Sequence, residues 1–129
     1  AEFDDQRRPF RALDDERSLA RAWVSASAGT TGEAVAILIS AAERASTRGQ
    51  FGAEVMCLQT AAQFGDCSGA ARLRELAEQI GGTRARVAAR FAAALRDGDP
   101  GELAAVGEEF EQIGDLVAAV DATALASVG

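Results

Sequence analysis

The sequence has no His, no Tyr and no Lys; all thirteen of its basic residues are Arg. General acid–base catalysis draws mostly on His, Tyr, Lys, Cys or a tuned carboxylate, so three of the five usual sources are missing. The two thiols, Cys57 and Cys67, have no imidazole to form an activated pair. They lie ten residues apart, a spacing that matches no metal or redox motif. The bland reading is a small buried thiol on a helix and a second thiol in a turn. Zinc held without His needs four thiolates or carboxylates, and the thiols are two short. The pairs Glu75/Glu78 and Glu108/Glu111 sit three apart, but the Glu-x-x-His of a di-metal bundle cannot exist here. Such pairs belong on solvated helix faces. The expectation is therefore a non-enzymatic chain with no catalytic residue, metal ligand or cofactor of its own.

Other scarcities narrow the fold. Two Pro, one Trp and six Phe leave too few β-branched and aromatic residues for a sheet protein, while Ala, Leu, Glu and Arg favour helix. No apolar run reaches the ~20 residues of a membrane span, and no signal-peptide pattern opens the chain. A net charge of −7 disfavours direct contact with nucleic acid or an anionic membrane. Without a disulfide framework, a reducing cytoplasm is the expected location. The chain opens without Met, on Ala1-Glu2-Phe3, which matches what a common restriction site encodes. Residues 1–12 are thus read as a lead-in or cloning remnant, and 13–129 as one helical-repeat domain.

Glycine supplies the punctuation. Gly29, Gly49, Gly65, Gly82, Gly98 and Gly114 fall at intervals of 20, 16, 17, 16 and 16 residues. Glycine just past a helix end is the usual left-handed stop, so six stops predict about seven short antiparallel helices. Each segment between them carries a helical apolar period. Ala34, Ile37, Leu38, Ala41, Ala42 and Ala45 share one face, as do Phe51, Val55, Leu58 and Ala62, and then Ala70, Leu73, Ala77 and Ile80. Val87, Phe91, Ala94 and Leu95 follow, then Leu103, Val106, Phe110 and Ile113. Thr30 with Glu33 reads as a capping box, and Asp99-Pro100-Gly101-Glu102 as a cap with Pro at the first helical position. Thr83 and Asp115 are expected to cap the helices after Gly82 and Gly114.

Successive glycine pairs recur at 36 and 33 residues, close to the tetratricopeptide (TPR) period of about 34. Gly29 through Ala34 and Gly65 through Ala70 both place Ala five residues after Gly, which lets the second helix of a hairpin approach the first closely. The fold class expected is all-α, TPR-like stacked hairpins, with a compact helical bundle as the alternative arrangement of the same stripes.

Several stretches carry a resemblance. Ala22-Trp23-Val24, Ala41-Ala42-Glu43-Arg44-Ala45 through Gly49-Gln50-Phe51, and Glu54 through Ala61-Ala62-Gln63-Phe64-Gly65-Asp66 resemble the helical region of large actinobacterial LuxR-family transcription regulators. Arg84 through Ala92-Ala93-Ala94-Leu95, then Asp99, Leu103, Phe110-Glu111, Gly114 and Ala118-Ala119, continue it. In that family a switch ATPase precedes the helical segment and a helix-turn-helix follows it. The resemblance implies a sensor segment that takes up an inducer or protein partner and signals to those flanking domains. Any ATP would be bound upstream, because a chain without Lys cannot form a phosphate-binding loop. Gln63 stands where that pattern would place Arg. The competing expectation is a free-standing adaptor for a partner protein or peptide.

Candidate surfaces follow from the repeat. In stacked hairpins the first helix of each pair lines a concave groove, which places Trp23, Gln59, Gln63 and Arg96 at or near it. Trp23 would be a partner anchor or, next to Leu19 and Ala26, part of the core. Arg86 and Arg90 are an i, i+4 pair of like charge, suited to clamping an anion or to pairing with the acidic helix that follows. The last helix, with Leu116, Val117, Val120, Leu125 and Val128, is the expected docking or homodimer surface.

Overall fold

The computed structural model describes residues 30–128. Six helices account for most of them: α1 (Thr31–Thr47), α2 (Phe51–Gln63), α3 (Ala70–Ile80), α4 (Thr83–Asp97), α5 (Pro100–Gln112) and α6 (Leu116–Val128). The described residues are all-α, with six helices where the glycine count predicted seven; the seventh, ahead of Gly29, lies outside them, as does Trp23.

The glycine stops work through one repeated set of bonds. At the end of α5, Gly114 sits at φ 88°, its N–H donates to Glu111 O at 3.0 Å, and Asp115 N–H reaches Phe110 O at 2.9 Å. This is a Schellman closure, and only a residue without Cβ takes that φ without strain. The same pair of bonds recurs at Gly49, Gly65 and Gly98. The α3–α4 junction differs: α3 ends on Gly81, and Gly82 stands at the N-cap of α4. Thr83 is therefore the first residue of α4 and not its cap, because two consecutive positive-φ glycines complete the turn first. Asp99 caps α5 as expected, accepting from Glu102 N–H at 3.1 Å with Pro100 behind it. Asp115 caps α6 through Ala118 N–H at 3.1 Å. Thr30 holds the N-cap position of α1, although its side chain makes no cap bond.

Helices pair in a register one step away from the one predicted. The broadest contacts join α1 with α2, α3 with α4, and α5 with α6, whereas the turns at Gly29 and Gly65 had suggested α2 with α3. At the Gly65 turn the close approach is real but is made by Gly69, where a Cβ would come within 2.9 Å of Leu58 Cδ2. The hairpins then gather around α2, which touches α1, α3, α4 and α6. Contact between α2 and α6 links the first hairpin to the third, beyond the nearest-neighbour contacts of an extended solenoid. The arrangement is a hairpin stack closed toward a bundle.

The predicted stripes supply the core. Leu38, Val55, Leu73, Val87, Phe91, Val106 and Phe110 are all fully buried, and alanines fill the layers between them. Phe91 and Phe110 meet edge to face at 5.5 Å between centroids, joining α4 to α5. Ile80 departs from its stripe. It is 44% exposed at the last turn of α3, where Leu76 takes the inward position instead.

Candidate functional site

The helix at the hub carries the polar residues that a core normally rejects. Glu54, Gln59 and Thr60 on α2 are buried, and a buried polar group must find partners or cost stability. Thr60 donates back to Met56 O at 2.8 Å, within its own helix. Glu54 and Gln59 are satisfied across helices.

Gln59 anchors a network over α2, α4 and α6. Its amide donates to Gln63 Oε1 at 3.0 Å and to Asp115 Oδ2 at 2.9 Å, and its carbonyl accepts from Arg84 Nη1 at 3.0 Å. Arg84 Nη1 also donates to Asp115 Oδ2 at 2.8 Å. Gln63 extends the chain to Asp121 Oδ2 at 2.9 Å. Burial alone pushes the Asp115 carboxyl up; bonds from Arg84, Gln59 and the Ala118 N–H more than offset it, holding the group below the ordinary carboxylate value. With its polar atoms partnered, this network ties α6 in place and presents no open donor or acceptor from Gln59.

Two bidentate Arg–Glu clamps bridge consecutive hairpins. Arg72 on α3 donates from Nε to Glu54 Oε2 at 2.6 Å and from Nη2 to Glu54 Oε1 at 3.1 Å, with Glu75 as a third partner. Hydrogen bonding to Glu54, then to Glu75, holds the Arg72 guanidinium well above its usual value. Arg90 on α4 repeats the fork on α5, reaching Glu102 Oε2 at 2.8 Å and Oε1 at 3.1 Å, and it also bonds Glu109. Paired forks of this kind fix the angle between helices.

The groove residues foreseen from sequence therefore separate. Gln59 and Gln63 lie inside the α2–α4–α6 network. Arg90 is spent on the acidic α5, and Arg86, four residues earlier, is exposed and does not join it. Arg96 is exposed and bonds Asp97 at 3.0 Å. Arg90 and Arg96 do share a groove of about 600 Å³ between α3 and α4, floored by Ala70, Ala71, Ala89 and Ala93. Arg72, Arg84 and Asp121 were not anticipated. The available signal was the amide pair itself, since Gln59, buried next to Val55 and Leu58, and the half-buried Gln63 demand polar partners from elsewhere.

The last helix divides into two faces. Ala118 and Ala122 are fully buried, and Ala119, Leu125 and Ala126 pack beside them against the core. Leu125 thus belongs to the inner face and not to the docking surface first assigned to it. Leu116, Val117 and Val120 are 61%, 57% and 67% exposed. Thr123, Ala124 and Ser127 continue the same outer stripe. Beside it runs a groove of about 450 Å³, lined by Gly107, Glu108 and Glu111 of α5 and by Ala119, Val120, Thr123 and Ala124 of α6.

Cys57 is buried on α2, Cys67 is half-buried in the turn before α3, and neither is in a disulfide. Among the described residues there is no cluster of three or more potential metal ligands, and no helix is long and apolar enough to cross a membrane. No family model, curated protein or solved structure matches this chain.

Proposed function

We propose that the chain is a non-catalytic interaction module whose outward face is the last hairpin. The observation that carries this reading is the stripe of Leu116, Val117 and Val120, the three most exposed large apolar side chains of the described residues, on a helix that Asp121 and its cap Asp115 bond to α2 and α4. Apolar side chains that stay exposed on a fixed scaffold are suited to receive a partner. A rigid surface loses little entropy when one arrives. The missing His, Tyr and Lys, and the use of buried charge in inter-helix pairs, support the non-catalytic part.

Selection of a helical-peptide library against the chain tests this, with a counter-screen against Val117→Gln/Val120→Gln. Ligands that lose the double variant support the module. A selection in which no ligand depends on these two residues overturns it.

The resemblance to LuxR-family regulators extends the proposal to a cytoplasmic sensor segment that relays partner or inducer binding to a flanking ATPase and a helix-turn-helix. The coding sequence on either side decides that extension. A phosphate-binding loop upstream and a helix-turn-helix downstream support it, and flanks without them leave a free-standing adaptor.

A further inference from the structure

Charge is segregated along this chain. Thirteen Arg and twelve acids up to Arg96 nearly cancel, and every charged residue after Arg96 is one of eight acids. The third hairpin, α5 and α6, therefore carries the net negative charge and has no base of its own. Glu102 and Glu109 share the single charge of Arg90, and Asp115 pairs with Arg84. Glu108 and Glu111 are both exposed, and among the described residues neither has an ion pair. They line the groove in which Val120 and Ala124 form the opposite wall.

The surface thus combines three things: an uncharged apolar stripe at helical spacing, a shallow trough beside it, and two unpaired carboxylates three residues apart along one edge. Leu116, Val120 and Ala124 recur every four residues, the period that seats another helix ridge into groove. Glu108 and Glu111 are about 4.5 Å apart in rise along α5, about one turn, so a partner helix can answer both from its own i and i+3 or i+4 positions.

A second copy is the weaker fit. A two-fold contact places the same surface on both sides, and this hairpin would then meet acids with acids and supply no base. We propose that the α5–α6 hairpin binds a basic amphipathic helix, whose apolar seam lies on Leu116, Val117 and Val120 and whose Arg or Lys residues flank that seam beside Glu108 and Glu111. The proposal rests on the interaction-module reading above and names the partner's chemistry.

The test uses three synthetic helical peptides with one common Leu seam, flanked by Arg, by Gln or by Glu, titrated against the chain by fluorescence anisotropy. The Arg peptide is expected to bind about tenfold tighter than the Glu peptide at low salt, an advantage that shrinks as salt rises. Glu108→Gln/Glu111→Gln should abolish that advantage while the Gln peptide binds as before. Circular dichroism checks that each variant stays helical. Equal binding of the three peptides, or an Arg preference that survives in Glu108→Gln/Glu111→Gln, overturns the proposal and leaves the module reading standing. If no peptide binds the face at all, the proposal falls, and the library selection decides the module reading separately. A concentration-dependent dimer that Val117→Gln/Val120→Gln abolishes assigns the surface to a second copy and overturns the proposal.

Discussion

Arg84 Nη1 lies 2.8 Å from Asp115 Oδ2, and the bond joins the first turn of α4 to the residue that caps α6. One carboxylate thereby serves two ends. Its Oδ1 satisfies a free helix N–H, and its Oδ2 satisfies Arg84 and the buried Gln59 amide.

Replacing that carboxylate should loosen the last helix. Asp115→Ala removes the cap and leaves Gln59 short of an acceptor, which should cost about 2–3 kcal/mol in urea unfolding. Asp115→Asn keeps the shape and some cap function, and should cost about 1–2 kcal/mol. If both substitutions prove neutral, the network does not hold α6.

The same residue gives a pH signature. Its folded pKa is lowered, so its contribution is fully present above the unfolded Asp value of about 3.9 and is lost as pH falls through the folded value. The stability difference between the parent chain and Asp115→Asn should therefore stay level from neutral pH to about pH 5 and shrink below about pH 4. Matched denaturant titrations at each pH read it, and a difference that stays flat to the acid limit contradicts the assignment.

Removing one side of a clamp should cost more than removing both. Glu54 is 5% exposed at its side chain, so Arg72→Ala leaves a buried carboxylate without its guanidinium, at about 2 kcal/mol. Glu54→Met with Arg72→Met should recover most of that loss, because two apolar side chains leave no charge unpaired. A double-mutant cycle showing simple additivity would refute the coupling.

The α5–α6 contact depends on a missing methyl group. A Cβ at Gly107 would stand 3.0 Å from Thr123 Oγ1 and 3.4 Å from Ala119 O. Gly107→Val should lower stability by about 1–3 kcal/mol through overpacking. Gly107→Ala should be better tolerated when Thr123→Ala clears the nearest atom, since Ala is favoured over Gly inside a helix by about 0.8–1 kcal/mol. Thermal unfolding of the two singles and the double measures that coupling.

What the sequence disclosed followed local rules. Left-handed glycine stops, the Asp99 and Asp115 caps and the stripes around Phe91 and Phe110 depend on residues within a turn or two of each other, and these signals were legible. The pairing of helices was not. Ala34 and Ala70 suggested which turns close tightly, but hairpin choice depends on side chains brought together across 18 to 58 positions, as in Glu54–Arg72 and Gln63–Asp121. Gln59 is assigned to a groove by the turn alignment, which rests on the hairpin pairing that the structure shifts by one helix. Its amide faces inward, to a carboxylate and a guanidinium that lie far along the chain. The exposed Leu116, Val117 and Val120 were legible because Asp121 is the one charged residue of α6, and one side of any surface helix must remain uncovered. Leu125 packs on the inner side instead, and the side chain of Val128 lies outside what is described.

The position of α2 has a consequence for how the chain assembles. Gln59 leaves the ribosome 56 residues ahead of Asp115, and Glu54 precedes Arg72 by 18. Glu54 can be paired once α3 is made, but the Gln59 amide has its Asp115 acceptor only when the final hairpin is in place. A repeat array whose units contact only their neighbours can settle one unit at a time and fray from either end. This chain should instead complete its centre last, folding and unfolding as one cooperative event in which loss of the final helix is felt at the hub.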